Sequence, residues 1–105
     1  MKKSSAEKRV KALGWKDGTV AEFLKLTPEE SALIEIKLAL SRKLRERRQR
    51  RMTQAQLAKK LQSSQSRIAK AETGDSSVSI ELLVRAMLAT GATPKEIGKT
   101  IANRA

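Results

Sequence analysis

Gln65, Ser66, Arg67 and Lys70 place a carboxamide, a hydroxyl, a guanidinium and an ammonium within six residues. A carboxamide donates and accepts side by side, so a glutamine can pair in a bidentate way with adenine. A guanidinium matches the two acceptors of guanine or neutralises a phosphate, and both options are open for Arg67. This is the chemistry of binding. The chain has no histidine and no cysteine. A zinc finger, a Ser-His or Cys-His nucleophile, haem ligation by histidine and a disulfide framework are therefore excluded. Glu72, Glu81 and Glu96 stand isolated along the sequence, so no carboxylate pair points to acid–base catalysis. An enzyme is not expected, nor a cofactor or metal.

The balance of charge agrees with a binding role. Of 105 residues, 23 are Lys or Arg and 11 Asp or Glu, a net +12. Ala, Leu, Lys, Glu and Arg make up over half the chain, which favours helices. Trp15 and Phe23 are the only aromatics, which argues against RNA-binding modules that stack bases on rows of Phe and Tyr. No apolar run follows Met1-Lys2-Lys3, and the apolar stretch from Ala32 to Leu40 is broken by Glu35 and Lys37. The expectation is one small, basic, all-α domain in the cytoplasm, with an acidic partner and no membrane partner.

The elements that position the polar cluster follow from caps and apolar spacing. Residues 1–27 read as a Lys-rich tail, a loop around Trp15 between Gly14 and Gly18, and a short helix from Val20 to Leu26 capped by Thr19 with Glu22. Thr27-Pro28-Glu29-Glu30 opens a long helix running toward Arg50. Leu33, Ile36, Leu40 and Leu44 form its stripe, widened by Ile34 and Leu38. Thr53 with Gln56 starts a helix from Gln54 to about Leu61. Ser63 or Ser64 caps the next, Gln65 to Glu72, which ends near Gly74. Ser79 caps Ile80 to Ala89, with Val78 placed to staple onto Leu83, and Gly91 ends that helix. Thr93-Pro94 opens a last helix carrying Ile97 and Ile101.

Two short helices separated by about three residues cannot lie side by side; they make a corner filled by Leu57, Leu61 and Ile68. The outer face of the second then carries the four polar residues. This is a helix-turn-helix, whose second helix enters the major groove N-terminus first. Thr53-Gln54, Leu57-Ala58, Leu61, Ser64, Gln65, Ile68, Glu72 and Gly74 resemble the lambda-repressor-like XRE family. That resemblance implies a five-helix DNA-binding domain over residues 28–105, with the helix-turn-helix at 53–73 and an N-terminal helical extension. It implies that Gln54 binds a phosphate and braces Gln65, with Thr53 and Ser64 positioning the backbone beside it. Gln65, Ser66 and Lys70 would face base edges. The family often has glycine where this chain has Arg51 and Gln62, so neither turn has its usual left-handed residue. A non-glycine at positive φ costs on the order of 1 kcal/mol.

A second resemblance covers more of the chain. Residues 23–30, Ile36 to Leu40, Ser64 to Lys70, Ser76 to Ser79 and Leu82 to Ala86 are similar to HigA-type antitoxins. This implies a homodimeric repressor of its own operon, acting on an inverted repeat, that also binds a RelE/HigB-type ribonuclease toxin. The extra apolar flank of Ile34 and Leu38, with Trp15, Val20 and Phe23 before it, exceeds what the helix-turn-helix needs: either it forms the toxin-binding arm, or Phe23 and Trp15 fold back on the long helix and complete a core. Apolar surface beyond the helix-turn-helix suggests a dimer contact through residues such as Met87, Ile97 and Ile101. The run from Arg42 to Arg51 holds seven cations against one Glu. Arg47, Arg48, Arg50 and Arg51 are the expected phosphate contacts, binding without reading sequence. A free-standing regulator without a toxin, or an RNA-binding protein using the arginine helix, are the alternatives.

Overall fold

Thr27 caps the first helix among the described residues. Its hydroxyl accepts from the Glu30 amide at 3.0 Å, and the Glu30 carboxylate accepts from the Thr27 amide at 3.0 Å. Pro28 fits the first helical position, where no amide hydrogen is needed. The computed structural model describes residues 26–103, and among these the chain forms five helices and no strand. They are α1 (Pro28–Gln49), α2 (Gln54–Lys60), α3 (Gln65–Glu72), α4 (Ile80–Ala89) and α5 (Pro94–Ala102). The expected helix from Val20 to Leu26, with Trp15, Val20 and Phe23, lies outside the described residues.

Each start has the chemistry its sequence predicts. Thr53 with Gln56 and Thr93 with Glu96 form reciprocal capping boxes, while Ser64 and Ser79 accept from the third helical amide. The ends of α2, α3 and α4 share one device. The amide two residues past the cap reaches back to a carbonyl in the last turn: Ser63 to Ala58, Asp75 to Lys70, and Ala92 to Met87. This closure needs a left-handed residue in between. Gly74 and Gly91 supply it at φ 76° and 93°. Gln62 supplies it at φ 53°, as a non-glycine. The turn between α2 and α3 thus has its left-handed residue, contrary to expectation, and Gln62 bears the cost. Arg51 differs: Met52 and Arg51 both donate to the Arg48 carbonyl at 2.9 Å, and no left-handed residue is used.

The core sits where α1 crosses α4, α5 and the helix-turn-helix. Leu40 and Leu44 of α1, Leu57 of α2, Ile68 of α3, and Leu83 and Met87 of α4 are all fully buried. Each such side chain contributes about 1.5–3 kcal/mol of transfer energy. Leu61 and Ile36 pack against this cluster from its edge. The N-terminal half of α1 is less covered: Leu33 is exposed, and Ile34 and Leu38 are half-buried. Among the described residues no helix is long and apolar enough to cross a membrane.

Two of the residues expected at a dimer surface belong instead to this core. Met87 has no exposed surface and Ile97 retains 6%. Both sit in the buried cluster that contains Leu40 and Leu44 of α1. Ile101 is half-buried at the edge of the cluster. The large apolar side chain that α4 does leave outside is Leu88, at 45% exposure.

Candidate nucleic-acid interface

Ile68 and Ala71 turn one side of α3 into the core, which leaves the opposite side to solvent. Gln65, Ser66, Arg67 and Lys70 are all exposed there. Ser66 and Lys70, one turn apart, share a side. The Ser66 hydroxyl lies 3.3 Å from that of Ser64, and Ser64 itself accepts from the Arg67 amide at 3.2 Å. The side chains of Gln65, Arg67 and Lys70 form no hydrogen bond with any described residue, so their donors and acceptors face outward unspent. All four thus lie on the solvent side of the same helix, as the periodicity predicts.

What holds that helix is a buried ionic clasp that sequence reading missed. Glu72, at the end of α3, is 6% exposed. Arg48 of α1 grips its carboxylate from two nitrogens, Nε at 2.6 Å and Nη2 at 2.8 Å. Gln54, the first residue of α2, donates to the same carboxylate at 3.0 Å. Arg48 also reaches the Met52 carbonyl at 3.3 Å. Three helices and a connecting loop therefore meet at one carboxylate. Burial works to raise the Glu72 carboxyl, but the bonds from Arg48 and Gln54 and the charges of Arg48 and Arg45 outweigh it. The group is held below the ordinary carboxylate range, and Arg48 is raised by the same bond.

This geometry redistributes the basic run. Arg48 was expected on phosphate, yet it is committed to Glu72 with its side chain 12% exposed. Arg47 was expected there too, but it points to the other half of the domain. Its Nε donates to the Thr90 hydroxyl at 3.0 Å, and it pairs with Glu96 at 3.6 Å. Both guanidiniums are thus engaged within the chain. Arg50 and Arg51 remain exposed, Arg51 donating to the Arg47 carbonyl at 3.4 Å. Arg45, which sequence reading did not single out, is exposed and acts electrostatically on Glu72. Its position three residues before Arg48 puts it on the α3 side of α1.

Gln54 also departs from expectation. Its amide nitrogen braces Glu72, and no bond to Gln65 is formed. Thr53 and Ser64 are exposed, with their hydroxyls engaged in capping. Ile34 and Leu38 lie on the partly covered half of α1, away from the clasp.

Two short helices meeting at a corner, the second braced from behind and polar in front, define a DNA-binding helix-turn-helix domain. The helix-turn-helix family HTH_3 matches residues 42–97, more than half the chain, and the chain belongs to that family. It is a domain of XRE-like type, with which the capped elements and the buried Leu57, Ile68 and Glu72 are consistent. Searches of curated proteins and of solved structures found no match.

Proposed function

We propose that this protein is a sequence-specific transcriptional repressor, and the antitoxin of a type II toxin–antitoxin pair. The observation that carries the first part is the exposed row Gln65, Ser66, Arg67 and Lys70 on a helix fixed by the Arg48–Glu72–Gln54 clasp. Gln65 and Ser66 read base edges in the major groove, and Arg67 and Lys70 contact either bases or the flanking phosphates. Gln54, Thr53 and Ser64 lie beside the backbone, and Arg45, Arg50 and Arg51 supply the sequence-independent attraction. A homodimer on an inverted repeat would set the two α3 helices about 34 Å apart. With Met87 and Ile97 internal, Leu88 is the exposed apolar anchor that α4 offers such a dimer.

The antitoxin reading is supported by the likeness to HigA-type proteins from Phe23 onward and by the partly covered apolar side of α1, where Leu33, Ile34 and Leu38 lie. A RelE/HigB-type toxin would bind there, together with the segment that carries Trp15, Val20 and Phe23. Footprinting on DNA upstream of the protein's own gene tests the repressor, with Gln65→Ala as control. Full sequence preference in that variant would remove Gln65 as a reader. Co-purification with the product of an adjacent RelE-like reading frame tests the antitoxin role. If no such frame exists, the protein is a free-standing regulator.

A further inference from the structure

A groove of about 500 Å³ runs between α1 and α5. It is lined on the α1 side by Arg42, Lys43 and Glu46 and on the α5 side by Lys99 and Thr100, with Met87 at its floor. Residues two apart on a helix point to nearly opposite sides. Glu46 therefore marks a side of α1 turned away from Arg48 and the reading helix.

The charges in the groove do not cancel. Glu46 pairs with Lys43 at 3.5 Å, and Glu96 with Arg47 at 3.6 Å. That leaves Arg42 on one wall and Lys99 on the other, both exposed and without a carboxylate partner among the described residues. Between them the aliphatic stems of these long side chains line the groove, above the buried Ala39 and Met87 that close its floor. Two cations flanking an apolar patch complement a molecule with an anionic head and an apolar body, and the volume is in the range of small-molecule sites.

We propose that the α1–α5 groove binds a small amphipathic organic anion, a carboxylate or phosphate ester with an apolar body, through Arg42 and Lys99. Its occupant touches the side of α1 that holds Arg47, and through Arg47 the α4–α5 corner.

The test is titration of the full-length protein with phenyl phosphate, followed by amide and methionine-methyl NMR. Saturable shifts are expected at Lys99, Thr100, Asn103 and the Met87 methyl. Inorganic phosphate should bind about tenfold more weakly, since it lacks the apolar body. The Arg42→Gln/Lys99→Gln double variant should lose about tenfold, with an unchanged melting temperature because both side chains are exposed. Arg42→Lys/Lys99→Arg should restore binding. Equal affinity for inorganic phosphate, shifts centred on Arg67 and Lys70, or no saturation would each overturn the proposal. Displacement of phenyl phosphate by a far tighter acidic peptide would overturn it in favour of a protein partner.

Discussion

Arg48 and Glu72 are separated by 24 positions in sequence and joined by two hydrogen bonds of 2.6 and 2.8 Å, with almost no exposure on the carboxylate side. The pair closes the helix-turn-helix against the long helix. Desolvating two charges is costly, so such a pair adds little over a well-packed apolar substitute, while losing one partner leaves a buried charge uncompensated.

Arg48→Met and Glu72→Gln should therefore each destabilise the domain by about 3–5 kcal/mol in urea unfolding. The double variant Arg48→Met/Glu72→Leu should recover a large part of that loss. A cost below about 1 kcal/mol for either single change would show that the clasp is not coupled as its geometry requires.

The clasp also sets a pH response. The Glu72 carboxyl titrates lower in the folded state than in the unfolded chain. Its contribution is thus fully present above the unfolded value of about 4.3 and is lost as pH falls through the folded one. Stability should drop on acidification below about pH 4. The drop should be shallower in Glu72→Gln, whatever the starting stability of that variant. Glu96 is also lowered, chiefly by the Thr93 amide, but its side chain is solvent-exposed and contributes little to this slope.

Gln62 holds a left-handed conformation at φ 53° on the surface. Glycine relieves that strain but gives the unfolded chain more freedom, so Gln62→Gly should gain about 0.5 kcal/mol. Gln62→Val should lose more than about 1 kcal/mol, because a β-branched side chain resists positive φ. Thermal melts rank the three, and any order other than Gly above Gln above Val contradicts the strain.

Ser41 is buried in α1, and its hydroxyl has no hydrogen-bond partner. Ser41→Ala removes that unsatisfied group and improves helix propensity, for an expected gain of about 1 kcal/mol. A loss on substitution would mean the hydroxyl has a partner in solution.

On operator DNA the two kinds of contact should separate. Gln65→Ala should cost about 1–3 kcal/mol of discrimination at its base pair and leave the salt dependence alone. Arg45→Ala should weaken all sequences alike and reduce the salt slope by about one. Binding isotherms at several salt concentrations on cognate and scrambled duplexes distinguish these outcomes.

The helix starts were legible in sequence because capping is local. Thr27, Thr53, Ser64, Ser79 and Thr93 each bond to an amide three residues on, so spacing alone identifies them. The exposed polar side of α3 was legible for a similar reason, since helical periodicity separates Ile68 from Lys70. Partners distant in sequence were not. Glu72 looked isolated because its cation lies 24 residues back, and Arg47 and Arg48 looked like any other members of a basic run. Apolar periodicity likewise marked Met87 and Ile97 as covered without saying by which chain. The answer depended on how α1 crosses α4 and α5, which no local pattern encodes.

Arg47 and Arg48 are neighbours whose side chains leave α1 about 100° apart. One is tied to Thr90 and Glu96, the other to Glu72 and Met52. The last turn of α1 is thus a phase reference for both halves of the molecule. Inserting or deleting one residue between Leu44 and Arg47 would swing both guanidiniums by the same angle and detach the reading helix and the C-terminal corner together. The spacing along this helix is consequently constrained as tightly as its composition, and the two halves of the domain can drift in sequence only while that count is kept.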